Sequence, residues 1–186
     1  MIETELKFPI DKRKIKRIIR LLKRMGFNGG RRVYEKTVMY DNDRQIMQTT
    51  DGRIRLRVSD DSVELSYKKP LSRKNIKREV EYEVEVSNFQ TTEKILAMMG
   101  FVPTTSYERY RTTFTKGEIK VTIDEYPFAN FLEIEGKKEK IKNLALELGF
   151  LLRANLTDPC DTLFQKWRKE KGLDFKPHMR FEDYDK

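Results

Sequence analysis

Length, composition and charge set the first limits on this protein. The chain has 186 residues, of which 38% are hydrophobic and 37% charged, and its formal net charge is +9. This size suits one domain with a substantial core, so we expect a single domain over residues 1–186. The sequence has no long apolar run and no signal-peptide pattern, which predicts a cytoplasmic protein without a membrane span. One cysteine and one histidine exclude an intrachain disulfide and a cysteine zinc cluster.

Four helices are predicted from apolar residues at helical spacing. The first begins after Asp11, a suitable N-cap, and three of the four share an ending in which glycine follows the last turn. Those endings are Met25-Gly26-Phe27, Met99-Gly100-Phe101 and Leu148-Gly149-Phe150. The fourth helix covers about residues 159–171, with Trp167 on its apolar side, and residues 172–186 form a tail that is a candidate lid.

The remaining segments have the residue alternation of strands. With the opening strand at residues 3–8 there are about eight, the others lying near residues 33–41, 53–59, 62–69, 77–86, 105–115, 118–126 and 130–136. Tight turns are predicted at Asp60-Asp61-Ser62 and Lys116-Gly117, and residues 70–76 form the longest polar loop. Because the strands follow one another in hairpin order, we predict an α+β fold: an antiparallel β-barrel, or tunnel, of about eight strands with helices packed outside.

Charged residues occupy every second position of these strands. In the opening segment ETELKF, Glu3, Glu5 and Lys7 share one face of the strand. The same alternation recurs at Arg53, Arg55 and Arg57, at Glu64 and Lys68, at Glu79, Glu81, Glu83 and Glu85, at Arg109 and Arg111, and at Glu133 and Glu135. A solvated sheet face is the commonest explanation of such a pattern. If the sheet closes with its apolar face toward the helices, however, the charges point inward and must be paired or neutralised by ligands. A polyphosphate with divalent metal ions would neutralise both sets of residues, because its oxygens would bind the basic side chains and the metal ions would bind the carboxylates.

Several segments resemble one known family. The opening Glu3-x-Glu5-x-Lys7 is similar to the ExExK signature of the CYTH family, the triphosphate tunnel metalloenzymes. Further matches follow in the family's order: Tyr40-Asp41, Arg55-x-Arg57, Leu65 with Lys68 and Pro70, Glu81-Tyr82-Glu83, Arg109-x-Arg111, Asp124 and Phe131-Leu132-Glu133-Ile134-Glu135. The resemblance covers residues 1–136 well and the rest of the chain only loosely.

The resemblance implies a tunnel that binds a linear triphosphate together with Mg²⁺ or Mn²⁺. The metal ligands that it implies are Glu3, Glu5, Asp124, Glu133 and Glu135. The substrate-binding residues that it implies are Lys7, Arg55, Arg57, Lys68, Arg109 and Arg111, with Glu81 and Glu83 on the acidic side. Glu5, Glu135 and Arg109 are the candidates for catalysis.

Arg109 departs from the pattern of many relatives, which carry lysine at this position. Arginine is not a usable base near neutral pH, so we assign Arg109 to the phosphates. A carboxylate such as Glu5 or Glu135, or a metal-bound hydroxide, would then activate the attacking water, and the sequence leaves that choice open.

The sequence favours one function and leaves three alternatives open. The leading hypothesis is metal-dependent hydrolysis of inorganic triphosphate or another small triphosphate. A class IV adenylyl cyclase would use the same site to make cyclic AMP and pyrophosphate from ATP, and a thiamine triphosphatase would need an aromatic pocket at the tunnel mouth. A non-catalytic binder of polyphosphate or RNA would use the positive charge. We do not expect nucleic acid as a partner, because the alternating carboxylates would repel its backbone, and we expect a monomer or homodimer.

Overall fold

The computed structural model describes residues 2–60, 62–74 and 76–184. Asp61 of the first predicted turn and residues 185–186 of the tail lie outside these residues. Within them the strands are β1 (Ile2–Ile10), β2 (Asn28–Asn42), β3 (Arg53–Ser59), β4 (Val63–Ser72), β5 (Lys77–Val86), β6 (Phe101–Lys116), β7 (Ile119–Glu125), β8 (Asn130–Glu135) and β9 (His178–Met179). The α-helices are α1 (Lys12–Arg24), α2 (Ile46–Thr50), α3 (Phe89–Met98), α4 (Lys138–Glu147) and α5 (Cys160–Glu170), with short 3₁₀ turns at Leu152–Ala154 and Phe181–Asp183.

Eight of these strands close into an antiparallel barrel. The hydrogen-bonded order is β2-β3-β4-β5-β1-β8-β7-β6, and β6 pairs with β2 to complete the circle. The two-residue strand β9 adds in parallel to β6 at Ser106 and Tyr107. The helices pack outside, so the predicted α+β barrel is confirmed. No helix among the described residues has the length and apolar character needed to cross a bilayer.

The main core lies between the barrel wall and the helices, because apolar residues of the strands point outward. Leu6 and Phe8 on β1 are fully buried against Ile18 and Leu22 of α1 and Ile141 of α4. Burial of this apolar stripe holds α1 in place, since its remaining residues are mostly basic and exposed. The inner face of the same strand is thereby left to the charged residues.

The predicted helix ends are also confirmed. The side chain of Asp11 accepts a hydrogen bond from the backbone N–H of Arg13, which caps α1. Gly26, Gly100 and Gly149 follow their helices with φ angles of 80°, 83° and 87°, in the left-handed region that glycine adopts without strain. Each glycine turns the chain back toward the barrel.

Four segments are more regular than predicted. β2 and β6 extend beyond the predicted ranges because they pair with each other along most of their length. β4 continues to Ser72 through a bulge, so the first three residues of the predicted 70–76 loop are strand, and residue 75 of that loop lies outside the described residues. The short helix α2 was not predicted; the buried Asp41 carboxylate stabilises its first turn by accepting the backbone N–H groups of Met47 and Gln48.

The C-terminal part packs against one side of the barrel. Trp167 and Phe164 of α5 pack with Tyr184 in an aromatic cluster, and Met179 of β9 is buried beside Tyr107. The backbone N–H of Phe181 donates to Glu108 of β6 at 2.9 Å. The described part of the tail therefore packs with α5 against Tyr107, which also faces the barrel interior, and its lid role stays a prediction.

Candidate active site in the barrel interior

The barrel encloses a highly charged cavity of about 90 Å³. Its lining combines basic residues, acidic residues and a few others: Lys7, Arg53, Arg55, Arg57, Lys68, Lys77, Arg109, Arg111 and Lys120; Glu3, Glu5, Glu79, Glu81, Glu83, Glu133, Glu135 and Asp161; Met39, Tyr107, Tyr126, Pro159 and Cys160. Every residue proposed for the site from sequence is among them except Asp124. The inward charges are therefore gathered in one place by closure of the sheet.

Three carboxylates converge at one point of this cavity. One carboxylate oxygen from each of Glu3, Glu5 and Glu135 lies within 4.8 Å of the others. Glu3 and Glu5 are two residues apart on β1, and Glu135 of β8 lies directly opposite Glu5 in the antiparallel register. Carboxylate oxygens are the ligands that Mg²⁺ and Mn²⁺ prefer, so this acidic group can hold a hard divalent cation.

The electrostatics of the acidic group show an excess of negative charge. Burial and the neighbouring Glu3 carboxylate raise the pKa of Glu135 to about 7, although Lys120 lies 2.5 Å from it. Burial also acts to raise the pKa of Glu3, but Lys68 at 2.8 Å, a hydrogen bond with Glu81 and the charge of Lys120 together hold that pKa far below its ordinary value. An additional cation at this point would relieve the repulsion that Glu135 feels.

The surroundings of Arg57 have an excess of positive charge, to which Arg55 and Arg109 contribute. The pKa of Arg57 is lowered because it is buried and because Arg55 and Arg109 lie near it. Arg55 is held by Ser66 at 2.9 Å and by weaker contacts to Glu64 and Glu81 at 3.4 Å and 3.5 Å. An added anion would be stabilised here, as an added cation would be at the acidic group.

Asp124 and Glu133 serve as partners of basic side chains. Asp124 is fully buried and accepts hydrogen bonds from Arg111 Nε at 2.6 Å and Arg109 Nη1 at 3.0 Å. Glu133 pairs with Lys7 at 3.1 Å and Arg111 at 2.9 Å. The structure does not bring these two carboxylates into the group formed by Glu3, Glu5 and Glu135, so it gives no support to their predicted metal role.

Glu35 is a site residue that sequence reasoning missed. It lies directly opposite Arg109 in the β2–β6 register, accepts from Arg109 Nε at 2.7 Å and lies 3.6 Å from Arg57 Nε. Burial acts to raise the pKa of Glu35, but Arg109 and Arg57 lower it to about 2. A signal was present, since Glu35, Thr37 and Met39 alternate on one face of β2 in the same way as the charged strands.

Four further charged residues of the lining were also missed or set aside. Arg53 was excluded as a turn residue, yet it lies in the cavity and forms an ion pair with Glu79. Lys77 pairs with Glu79 at 2.7 Å and with Glu5 at 3.2 Å. Lys77 and Glu79 occupy alternate positions of β5 with Glu81, and this alternation was the signal that the sequence offered. Lys120 could have been found in the same way, because it lies on the same face of β7 as Asp124, four residues away.

The remaining predicted residues lie where the sequence placed them. Lys68 lies 2.7 Å from Glu81, its direct neighbour across β4 and β5, and Glu83 lines the cavity two residues further along β5. At another part of the wall, Pro159, Cys160 and Asp161 at the start of α5 contribute to the lining. Lys7 fixes this segment, because its backbone C=O accepts the N–H of Leu156 at 2.8 Å.

Comparison with known proteins agrees with this architecture. A protein of Methanocaldococcus jannaschii named as a candidate adenylate cyclase is 25% identical over 155 residues, which cover 80% of this chain and 87% of the relative. The structure of a candidate adenylate cyclase from Vibrio parahaemolyticus superposes with a TM-score of 0.79 at 15% identity, over 89% of this chain and 98% of that one.

A third protein has the same fold. An adenylyl cyclase candidate from Hippeastrum, for which a dominant triphosphatase activity is described, has a TM-score of 0.61 at 16% identity, over 94% of this chain and 97% of that one. The family model of the CYTH domain matches residues 1–148. The chain therefore belongs to the CYTH domain family.

Proposed function

We propose that this protein hydrolyses a small triphosphate inside the barrel with the help of a divalent metal ion. The observation that carries the proposal is the presence of two poles in one cavity: an acidic group with excess negative charge and an arginine region with excess positive charge. A linear polyphosphate bridged to a metal ion supplies a cation to the first and anionic oxygens to the second.

The charge balance of the lining explains why a metal ion is needed. Among the described residues, nine basic side chains face eight acidic ones in the cavity. Most of the basic side chains are paired with carboxylates, so a triphosphate adds more negative charge than the region around Arg57 neutralises by itself. Glu3, Glu5 and Glu135 would hold Mg²⁺ or Mn²⁺, which supplies Lewis-acid stabilisation of the phosphate charge when it is bound.

The basic residues have the task of binding and orienting the phosphates. Arg55, Arg57 and Arg109 present planar guanidinium groups to one region, and Arg109 is fixed there by Glu35 and Asp124. Because its pKa is raised well above that of ordinary arginine, chiefly by Asp124 against the effect of burial, Arg109 cannot act as a base. We assign it to the reacting phosphate, where it stabilises charge in the transition state.

A carboxylate of the acidic group has the task of accepting the proton of the attacking water. Glu135 has a pKa of about 7, the range in which a general base is most effective near neutrality. Both carboxylates have a lysine partner, since Glu5 pairs with Lys77 at 3.2 Å and Glu135 with Lys120 at 2.5 Å. We favour Glu135 over Glu5 for this role on its raised pKa, with Glu3 and Glu5 as the carboxylates that keep hold of the cation.

The test is to incubate the protein with inorganic triphosphate and with ATP in the presence of Mg²⁺ or Mn²⁺, and to measure orthophosphate, pyrophosphate and cyclic AMP separately. Orthophosphate release that excess EDTA abolishes supports the proposal, as does the activity described for the Hippeastrum protein of the same fold. Undiminished turnover in EDTA would contradict the metal mechanism.

The same assay tests a second function. The name of the Methanocaldococcus jannaschii relative favours adenylyl cyclase activity. Stoichiometric cyclic AMP and pyrophosphate from ATP would replace hydrolysis with cyclisation at the same site.

Two substitutions locate the chemistry. Glu5→Gln and Glu135→Gln keep the shape of the side chain but remove a charge that holds a hard cation, so each is expected to lose most of the activity while circular dichroism shows an intact fold. Wild-type turnover in both variants would mean that the acidic group only balances the basic residues.

A further inference from the structure

The positive charge of the protein is concentrated on one surface helix. Of the 39 lysine and arginine residues in the chain, eight lie among the 13 residues of α1, which contains no acidic residue. The other 31 are balanced by the 30 aspartate and glutamate residues. Outside α1 the chain is thus nearly neutral, and the tunnel does not account for the net charge of +9.

The basic residues of α1 are exposed and almost all unpaired. They are Lys12, Arg13, Lys14, Lys16, Arg17, Arg20, Lys23 and Arg24, and each is exposed to solvent. Arg13 pairs with Asp11 at 2.8 Å. Within residues 2–60, 62–74 and 76–184, none of the other seven forms an ion pair. These side chains are therefore available to an external anion.

The concentration of positive charge makes α1 less stable than a helix with the same apolar stripe and a mixed-charge outer face. Like charges four residues apart, as at Lys12, Lys16 and Arg20, destabilise a helix by about 0.2–0.5 kcal/mol per pair. Positive side chains in the first turn also oppose the helix dipole, and only Lys23 and Arg24 lie at the favourable end. Packing needs only the apolar stripe, so the fold does not require the concentration of positive charge on the outer face.

The length of the basic surface and the burial of the apolar side of α1 indicate which class of ligand fits it. An α-helix of 13 residues is about 20 Å long, and a nucleic-acid duplex carries about one phosphate per 1.7 Å of its axis. A rigid row of lysines and arginines of this length matches a regular array of phosphates. The apolar side of α1 is already in the core, where Ile18 and Leu22 are buried, so the helix has no apolar face to insert into a lipid bilayer.

We propose that the outer face of α1 binds the phosphate backbone of a double-stranded nucleic acid without sequence preference. This surface lies outside the barrel, so the tunnel carboxylates that argued against a nucleic-acid partner do not face it. The proposal does not depend on the function of the tunnel.

The experiment measures binding of a labelled DNA duplex of about 20 base pairs by fluorescence anisotropy over a range of salt concentrations. If α1 contacts about five phosphates, the logarithm of the binding constant falls with the logarithm of salt concentration with a slope near −4.5. The triple substitution K16Q/R20Q/K23Q is expected to weaken binding at least tenfold at about 0.1 M salt and to make the slope shallower by about two to three. Two duplexes of unrelated sequence should bind equally.

A matched variant separates α1 from net charge. The triple substitution K69Q/K94Q/K169Q removes the same charge from exposed positions on β4, α3 and α5. It should change binding little, and both triple variants should retain triphosphate turnover and melt no lower than the wild type. Equal losses of binding in the two variants, or no measurable duplex binding by the wild type at low salt, would overturn the proposal. Binding to phosphatidylserine vesicles that depends on α1, without duplex binding, would also overturn it.

Discussion

The contact of Glu35 with Arg109 and Arg57 gives a prediction whose size follows from the structure. Glu35→Gln keeps the volume of the side chain and one acceptor oxygen but removes the charge between two buried guanidinium groups. The native state lowers the pKa of Glu35 from 4.5 to about 2. At about 1.4 kcal/mol per pH unit, the charged form contributes roughly 3 kcal/mol to the free energy of unfolding at pH 7.

The sign of the pH dependence follows from the lowered pKa. A carboxylate with a lowered native pKa stabilises the fold fully above its unfolded-state pKa, and the contribution declines as pH falls toward the native pKa. For Glu35 the window lies between 4.5 and about 2. By pH 3 the contribution should have fallen to about 1–2 kcal/mol, so the difference between wild type and Glu35→Gln should shrink by about half.

Urea unfolding at a series of pH values from 7 to 3 measures this difference. At pH 7 the variant should also melt lower by about 6–12 °C, from roughly 2–4 °C per kcal/mol for a domain of this size. Glu118→Gln is the control, because Glu118 is exposed and its pairs with Lys137 and Lys140 lie on the surface. No loss of stability at pH 7, or a loss that is independent of pH, would refute the electrostatic role assigned to Glu35.

Two further predictions concern the tunnel and the core. Inorganic triphosphate with Mg²⁺ at about 100 times its dissociation constant should stabilise the protein by about 2.7 kcal/mol, or roughly 5–10 °C in melting temperature, and orthophosphate should do much less. Lys68→Ala with Arg111→Ala should remove most of that rise, whereas Lys94→Ala with Lys169→Ala, both on the surface, should preserve it; equal losses would indicate diffuse surface binding. Phe8→Ala should lower the free energy of unfolding by about 3–5 kcal/mol in urea titrations, because its side chain is fully buried between β1 and the helices. A loss below about 1 kcal/mol would show that the outer core is not close-packed at this position.

The sequence by itself determined most of the strands and helices and which face of each strand points into the barrel. A strand has a side-chain period of two residues, so ETELKF already assigned Glu3, Glu5 and Lys7 to one face and Leu6 and Phe8 to the other. The glycine endings of three helices were equally readable, because a left-handed residue after the last turn favours glycine. Local chemistry is sufficient for such features.

The partners of each charge were decided only by the tertiary structure. Pairing across the sheet depends on strand order and register, which join residues far apart in the chain: Glu35 with Arg109, Arg111 with Asp124, and Lys120 with Glu135. The alternation of charge revealed that these residues point inward but not which of them meet. The metal role of Asp124 was implied by the family resemblance, whereas the structure places it against two arginines; Glu35 was missed because its partners are distant in the chain. Closure of the barrel, in which β2 meets β6, is what turns separate charged faces into one cavity with an acidic and a basic pole.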